Sequence, residues 1–236
     1  MKEIPRVLIT EHAEDRAEGI QGLVERAGAK GKVIRLYQGE GLNSYEYDAV
    51  IVTGGPMGIH EIDRPEYGFL KKEADYLFAM IDRGRAILGI CLGHELVAHV
   101  LGGRIKASPQ SSEYGWKKIV INNDGKEDLL FLNMPDEFWS FEYHNDSVVS
   151  LPPNTINLAN SRSCAIQAFR KKDYLVWGVQ FHPEIFPEKA KRILQSRREI
   201  LEQQGVDIMP TINQGFSVSH EPREQIFVNF INALRM

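Results

Sequence analysis

The stretch Ile87-Leu88-Gly89-Ile90-Cys91-Leu92-Gly93-His94-Glu95-Leu96 decides the fold. Its first half is a short, continuous apolar run of the kind that forms a buried parallel strand. Its second half has helical spacing, and no loop residues separate the two halves. We therefore predict a strand over 85–90 that runs directly into a helix over 92–101, which is an arrangement typical of α/β sheets.

Strand and helix signals alternate through the first half of the chain. Other apolar runs predict strands over 6–10, 32–37 and 48–53, and helical spacing predicts helices over 13–28 and 64–83. This order predicts an α/β fold with a doubly wound, flavodoxin-like and mostly parallel sheet, with helices on both faces.

The pattern changes after residue 103. Five short strand-like pieces, separated by turn residues, lie over 116–121, 138–143, 155–159, 165–170 and 175–181. They predict an antiparallel extension of the sheet. A charged helix over 187–204, a loop rich in Gly, Pro and Asn over 205–219 and a last helix over 222–234 are predicted to follow. We interpret residues 1–236 as a single domain, with a core over 5–190 and a helical C-terminal extension over 187–236.

The composition is that of an ordinary globular protein, with 43% hydrophobic residues, 25% charged residues and a net charge of −4. There is no stripe of Lys and Arg, so we expect no nucleic acid as partner. No apolar run approaches the ~20 residues that span a bilayer, and no signal peptide is evident, so we expect no membrane association. With only two cysteines, Cys91 and Cys164, we expect a reducing, cytoplasmic setting.

Cys91 lies at the junction of strand and helix, with Gly89 and Gly93 two residues to either side. This is the spacing of a nucleophile elbow, in which a tight turn lifts the central side chain out of the sheet. The helix N-terminus is expected to stabilise a thiolate, and the Leu92 N–H lies where an oxyanion would form. The alternative is that Cys91 is a small buried hydrophobe.

A second signal is Val179-Gln180-Phe181-His182-Pro183-Glu184. A strand is predicted to end at His182, because Pro183 cannot continue a central strand. Glu184 can orient the imidazole and support its charged form, as the third member of a catalytic triad does. The alternative is a surface turn, but both motifs come at strand ends, where doubly wound sheets place their sites.

These motifs, together with the loop Thr53-Gly54-Gly55-Pro56-Met57-Gly58, resemble the class I (triad) glutamine amidotransferases, and the tail resembles their small stand-alone members related to GMP synthase. The resemblance implies that Cys91 forms a γ-glutamyl thioester, that His182 transfers protons and that Glu184 orients His182. It also implies an oxyanion hole from the N–H groups of Gly55 and Leu92. By resemblance, the substrate contacts are Gly54 together with Asn145 and Asp146 of Phe141-Glu142-Tyr143-His144-Asn145-Asp146.

Glu95 departs from this family, which usually has glutamine four residues after the nucleophile. An ionised glutamate only accepts hydrogen bonds and adds a charge. It would repel the α-carboxylate of free glutamine and favour an ammonium or amide N–H. We therefore count Glu95 among the substrate-binding residues, with the hypothesis that the acyl donor is not plain glutamine or is held differently. The alternative is that Glu95 turns away without consequence.

The sequence favours an amidohydrolase that cleaves the γ-amide of glutamine or of a γ-glutamyl compound, with no metal and no organic cofactor. One alternative is a glutaminase subunit that delivers ammonia to a separate ATP-dependent synthase. Another is a non-catalytic regulatory or binding protein on the same fold, and a third is a protease-like elbow protein with His94 as base. The C-terminal extension has three possible roles: it caps the site, completes the layered fold or forms a homodimer contact.

Overall fold

The structure is a computed structural model, and it describes residues 3–236 apart from the side chain of Glu221. The strands in this part of the chain are β1 (Arg6–Glu11), β2 (Lys30–Arg35), β3 (Ala49–Val52), β4 (Ala86–Ile90), β5 (Arg104–Ala107), β6 (Glu113–Ile121), β7 (Glu137–His144), β8 (Asp146–Ser150), β9 (Thr155–Asn160), β10 (Ala168–Lys171) and β11 (Val176–Val179). The helices are α1 (Ile20–Arg26), α2 (Gly68–Asp82), α3 (Leu92–Val100), α4 (Asn123–Lys126), α5 (Pro187–Ser196), α6 (Arg198–Gln203), α7 (Ile208–Ser217) and α8 (Glu221–Ala233).

A nine-stranded sheet forms the centre of the molecule, in the order β2-β1-β3-β4-β11-β10-β9-β6-β7. The pairs from β2 to β11 are parallel, and the pairs from β11 to β7 are antiparallel. The predicted fold class, a mostly parallel doubly wound sheet with an antiparallel extension, is therefore confirmed.

Alternate residues of the parallel strands face two separate hydrophobic cores, as the period-two geometry of a strand requires. Ile51 and Leu88 pack with α1 and α8 on one face of the sheet. Val50 and Ile87 pack with α2 and α3 on the other face. Because both faces are covered, β3 and β4 are apolar throughout and fully buried, which explains their continuous hydrophobic runs.

The predicted loop over 205–219 is wrong, because ten of its residues form α7. The Asp207 side chain accepts a hydrogen bond from the backbone N–H of Met209 at 3.2 Å and caps the helix. Pro210 falls in the first turn, where its missing N–H costs little. Gly215 lies against Trp116, where an added Cβ would come within 2.3 Å of the indole nitrogen. The position of Pro210 in the first turn and the packing of Gly215 on Trp116 thus explain why these residues occur in a helix.

Three further differences concern the bounds of elements. The predicted helix over 13–28 is shortened to α1, since left-handed residues at Asp15 and Gly19 keep the preceding segment in turns. The predicted helix over 187–204 is interrupted at Arg197 into α5 and α6. Strands β5 and β8 were not predicted, and they form a separate two-stranded antiparallel sheet. In the described part of the chain, no helix has the length and apolar character needed to cross a membrane.

Candidate active site

The elbow between β4 and α3 is as tight as its glycines suggest. Cys91 has a φ of 54°, a backbone conformation that side chains rarely adopt. A Cβ on Gly89 would come within 2.3 Å of the Gly93 carbonyl oxygen, and a Cβ on Gly93 within 2.2 Å of the Val52 carbonyl oxygen. Both positions therefore exclude side chains, and the Cys91 side chain projects from the end of the strand into a cavity.

His182 reaches the same point from the neighbouring strand. Val179 of β11 is in register with Ile90 of β4, and the Cys91 N–H donates to the Val179 carbonyl at 2.9 Å. The backbone N–H of His182 donates to the carbonyl of Phe141 at 2.9 Å, which fixes its position. Parallel neighbours thus bring the cysteine and the histidine to one edge of the sheet, as their placement at strand ends predicts.

Glu184 lies 2.7 Å from His182, with its Oε1 against Nδ1 of the imidazole, and both side chains are buried. Burial alone would raise the pKa of Glu184, but the charge and hydrogen bond of His182 lower it overall. An ionised Glu184 holds the Nδ1 proton in place and leaves Nε2 for proton transfer. His182 forms an isolated β-bridge with Phe141, and the turn at Pro183 and Glu184 then brings the Glu184 carboxylate back to the imidazole.

The Cys91 thiol is held in its protonated form. Burial raises its pKa well above the ordinary value, the charges of Glu95, Glu142 and Glu184 add to this, and the Leu92 N–H acts in the opposite direction. The predicted stabilisation of a thiolate at the helix N-terminus is therefore present but outweighed. The thiol donates a long hydrogen bond, 4.0 Å, to the Tyr143 carbonyl, so attack on a substrate requires a base to remove its proton.

Gly54 and Gly55 lie beside both catalytic candidates. A Cβ on Gly54 would come within 2.9 Å of His182 Cε1 and 3.5 Å of Cys91 Cβ, so no side chain fits between them. A Cβ on Gly55 would come within 2.5 Å of a Leu92 methyl carbon, so the two expected oxyanion donors belong to adjacent residues in space. The oxyanion hole itself stays a prediction, since it depends on where a substrate oxygen lies.

A buried pair that was not predicted supports this loop. His12 Nε2 lies 2.6 Å from Glu73 Oε2, and the other ring nitrogen lies 3.4 Å from the Gly54 carbonyl oxygen. Burial opposes protonation, but the charge and hydrogen bond of Glu73 raise the pKa of His12 overall. His12 thus contacts the carbonyl side of the Gly54–Gly55 peptide, and because the peptide is planar and trans, the Gly55 N–H points away from His12. Glu73 follows His12 by 61 residues, and no local pattern signals the pairing.

A cavity of about 550 Å³ opens above Cys91, within the usual size range of small-molecule sites. Seven of the nine predicted site residues line it: Gly55, Cys91, Leu92, Glu95, Asn145, Asp146 and His182. The other two, Gly54 and Glu184, lie behind the lining, in the positions given above.

Glu95 is buried one helical turn after Cys91. Burial raises its pKa to about 8, and nearby Asp146 adds to this, while a hydrogen bond from the Gln180 side chain opposes it. The Gln180 amide donates to Glu95 Oε1 at 3.3 Å. At neutral pH the side chain is therefore mostly uncharged and offers both a donor and an acceptor, as a glutamine would. The expected repulsion of a substrate α-carboxylate applies only above this pKa.

Asn145 and Asp146 follow β7 and border the cavity opposite α3. The Asn145 side-chain oxygen accepts a hydrogen bond from the Tyr114 hydroxyl. Asp146 Oδ2 lies 3.3 Å from the His60 imidazole, and the backbone carbonyl of Asp146 lies 2.8 Å from His144 Nδ1. These contacts hold the segment at the cavity wall.

His94 does not fit the role of base. It is fully buried against Phe169, and burial lowers its pKa to about 3. It is also absent from the described residues that line the cavity. The protease-like alternative is therefore wrong, because it requires His94 to face the Cys91 thiol.

Arg223 of α8 is a buried cation near Glu184 that was not predicted. It donates to the Ile185 carbonyl and lies over the rings of Trp116 and Phe186. Burial lowers its pKa to about 10, while the charge of Glu184 opposes this. The last helix therefore both completes the layered fold and places a positive charge behind the histidine–glutamate pair. A lone Arg in a terminal helix carries no sequence signal for this.

Fold and site together define an α/β protein with an elbow cysteine beside a buried histidine–glutamate pair. Residues 18–199 match the family model for class I glutamine amidotransferases. The chain belongs to this family, and the resemblance noted from the motifs is confirmed.

The curated relatives include subunits A of glutamine-hydrolysing GMP synthase. That of Methanococcus aeolicus is 36% identical over 152 residues, which are 64% of this chain and 72% of that protein. That of Sulfurisphaera tokodaii is 36% identical over 140 residues, 59% of this chain and 69% of that protein. The predicted relation to GMP synthase is therefore confirmed.

Solved structures with the same fold extend over nearly the whole chain. A glutamine amidotransferase from Thermotoga maritima superimposes with a TM-score of 0.85 and 24% identity, covering 99% of both chains. A glutamine amidotransferase from Methylobacillus flagellatus gives a TM-score of 0.78 and 21% identity, covering 98% of this chain and 95% of the other. The C-terminal helices are therefore part of a fold that these proteins share.

Proposed function

We propose that the chain is a stand-alone amidohydrolase of the glutamine amidotransferase type, which hydrolyses the γ-amide of glutamine or of a γ-glutamyl compound. The observation that carries the proposal is the convergence of Cys91, His182 and Glu184 at one end of a cavity whose wall also contains Gly55 and Leu92. Family membership supports the same activity at the level of the reaction class.

In the proposed reaction, His182 takes the thiol proton as Cys91 attacks the γ-carbonyl carbon. The N–H groups of Gly55 and Leu92 hold the oxyanion, an interaction worth about 3 kcal/mol per donor. His182 then gives its proton to the leaving nitrogen, and a thioester remains on Cys91. Water, activated by the same histidine, releases glutamate. Because burial raises the pKa of the free thiol, we expect its proton to move to His182 only after substrate has bound.

The release of glutamate from glutamine by the purified chain tests this proposal. We expect Cys91→Ala and His182→Ala to lose turnover by at least a thousandfold. Cys164→Ala is the matched control, since Cys164 is buried elsewhere and does not line the cavity. Full activity of Cys91→Ala would refute the mechanism.

A glutaminase subunit that feeds a separate synthase is the second candidate. The relatives named as GMP synthase subunits favour it. Against it, α5 and α6 contribute Ile193, Ser196, Arg197 and Ile200 to the cavity wall, so this chain supplies much of its own enclosure. Turnover of glutamine by the chain alone supports the hydrolase. Turnover that requires an added ATP-using partner supports the subunit.

A further inference from the structure

The cavity continues past the nucleophile toward the C-terminal helices. Its lining at this end consists of Arg16, Tyr143, Ile193, Ser196, Arg197 and Ile200. We call Arg16 and Arg197 the arginine rim. The carboxyl groups in the lining are those of Glu61, Glu95 and Asp146, and two of these, Glu95 and Asp146, were predicted to bind substrate. The walls therefore carry acidic groups in one part and two guanidinium groups in another.

The two arginines differ from their neighbours in having no carboxylate partner within the described residues. On the same helices, Lys189 and Arg192 pair with Glu18 at 3.3 and 3.1 Å, and Arg198 pairs with Glu202 at 2.8 Å. Arg16 and Arg197 form no ion pair in this part of the chain, and the Arg16 Nε is shielded from solvent without a hydrogen-bond acceptor. An anionic ligand would give the buried Arg16 Nε an acceptor and would give the exposed Arg197 an ionic partner.

A hydrogen bond between neighbouring residues holds the turn that carries Arg16 against α5. The Lys189 ammonium donates to the Asp15 carbonyl at 2.7 Å and joins α5 to the turn that carries Arg16. Both guanidinium groups act on the Tyr143 hydroxyl: burial raises the pKa of Tyr143, and the charges of Arg197 and Arg16 oppose this. The Tyr143 carbonyl in turn accepts from the Cys91 thiol. The arginine rim therefore lies next to the residue that contacts the nucleophile.

We propose that the arginine rim binds the leaving-group side of the acyl donor, and that this donor is a γ-glutamyl compound whose amide nitrogen carries a carboxylate, as in a γ-glutamyl amino acid. This inference rests on the proposed function. The glutamyl α-ammonium is then held on the acidic side, near Asp146. Glutamine releases only ammonia, which would leave the rim unused.

The reaction is the one already described, with a larger leaving group. Cys91 sulfur bonds to the γ-carbonyl carbon, the C–N bond breaks, and the amine of the released amino acid takes its proton from His182. Water then cleaves the thioester. One γ-glutamyl amino acid and one water thus give glutamate and the free amino acid, with no redox change and no further reactant.

Two substrates that differ by one charge test the inference: γ-glutamylglycine and its neutral amide, γ-glutamylglycinamide. We expect kcat/KM to favour γ-glutamylglycine by about tenfold or more, as one charge-assisted hydrogen bond would give. In Arg16→Gln/Arg197→Gln, and to a lesser degree in Arg197→Gln alone, this ratio falls toward one. Arg198→Gln is the matched control, because Arg198 is adjacent but paired with Glu202 outside the cavity, and it keeps the wild-type ratio. Thermal melting confirms that each variant is folded.

The outcomes separate this inference from the proposed function. Hydrolysis of glutamine without preference between the two glycine compounds overturns the inference and leaves the proposed function standing. A preference for γ-glutamylglycine that persists in Arg16→Gln/Arg197→Gln also overturns the inference. So does binding of an acidic protein at the arginine rim that leaves the ratio of the two kcat/KM values unchanged. Loss of all turnover and of all labelling of Cys91 overturns the proposed function, and this inference with it.

Discussion

Glu95→Gln tests how the chain uses a carboxyl group where its family usually has an amide. With a pKa of about 8, about nine-tenths of Glu95 is uncharged at pH 7 and about nine-tenths is charged at pH 9. If only the uncharged form accepts a substrate α-carboxylate, kcat/KM for glutamine falls about tenfold between these pH values through this group alone. Glu95→Gln removes that fall, so its advantage over wild type is small at pH 7 and about tenfold at pH 9.

The assay is the pH profile of kcat/KM for glutamine in wild type and in Glu95→Gln. The ratio of the two profiles removes the pH dependence that both proteins share, and what remains reports Glu95, including its effect on the pKa of Cys91. Glu142→Gln is the control, because Glu142 is another buried carboxyl near Cys91 with a raised pKa but does not line the cavity. If the ratio of kcat/KM between Glu95→Gln and wild type is constant from pH 6 to pH 9, ionisation of Glu95 does not control the binding of glutamine.

The same pKa predicts a change in stability. The pKa of Glu95 is raised from 4.5 to about 8 in the folded chain, so between these values the unfolded chain loses a proton that the folded chain keeps. Stability from this group is therefore fully present below pH 4.5 and is lost at about 1.4 kcal/mol per pH unit as pH rises toward 8. The Tm of Glu95→Gln, relative to wild type, should rise across this range, and a constant difference would contradict the raised pKa.

Two further substitutions probe the surroundings of the nucleophile. Glu73→Gln removes the carboxylate that raises the pKa of His12 and contacts its ring, so the Gly54–Gly55 peptide is held less firmly. We expect kcat for glutamine to fall about tenfold with little change in KM. Asp75→Asn is the control, because Asp75 is exposed on the same helix, and it should keep the wild-type kcat. An unchanged kcat in Glu73→Gln would show that the His12–Glu73 pair does not support catalysis. Gly93→Ala forces a Cβ to within 2.2 Å of the Val52 carbonyl oxygen, and we expect a loss of about 2–3 kcal/mol in unfolding free energy. Gly68→Ala, with open space around it, should cost nothing by urea denaturation, and equal effects of the two would count against the strained elbow.

The centre of the sheet could be predicted because its signals are local. The runs at Ala49–Val52 and Ala86–Ile90 are buried on both faces, so their composition alone identifies them. The order of the elbow, the glycine loop and the His182 segment likewise depends on short motifs at strand ends. Helix α7 was not predicted, because Pro210 and Gly215 favour a loop, and the packing on Trp116 that accommodates Gly215 is not visible in the local sequence.

Residues of the site that act through long-range contacts escaped prediction. Glu73 meets His12 across the fold, and Arg223 reaches Ile185 from the last helix. The charge of Glu95 was misjudged for a related reason: its ionisation depends on burial beside Gln180 and Asp146, which residue identity does not reveal.

In the proposed mechanism, Cys91 is the group that the substrate acylates. Incubation with a γ-glutamyl chloromethyl ketone, followed by peptide mapping by mass spectrometry, tests it most directly. We expect one equivalent of label on Cys91, and we expect glutamine to protect Cys91 from labelling. Cys164→Ala should be labelled like the wild type, and Cys91→Ala should not be labelled. Label on Cys164, or an unlabelled Cys91 in a chain that turns over glutamine, would contradict it.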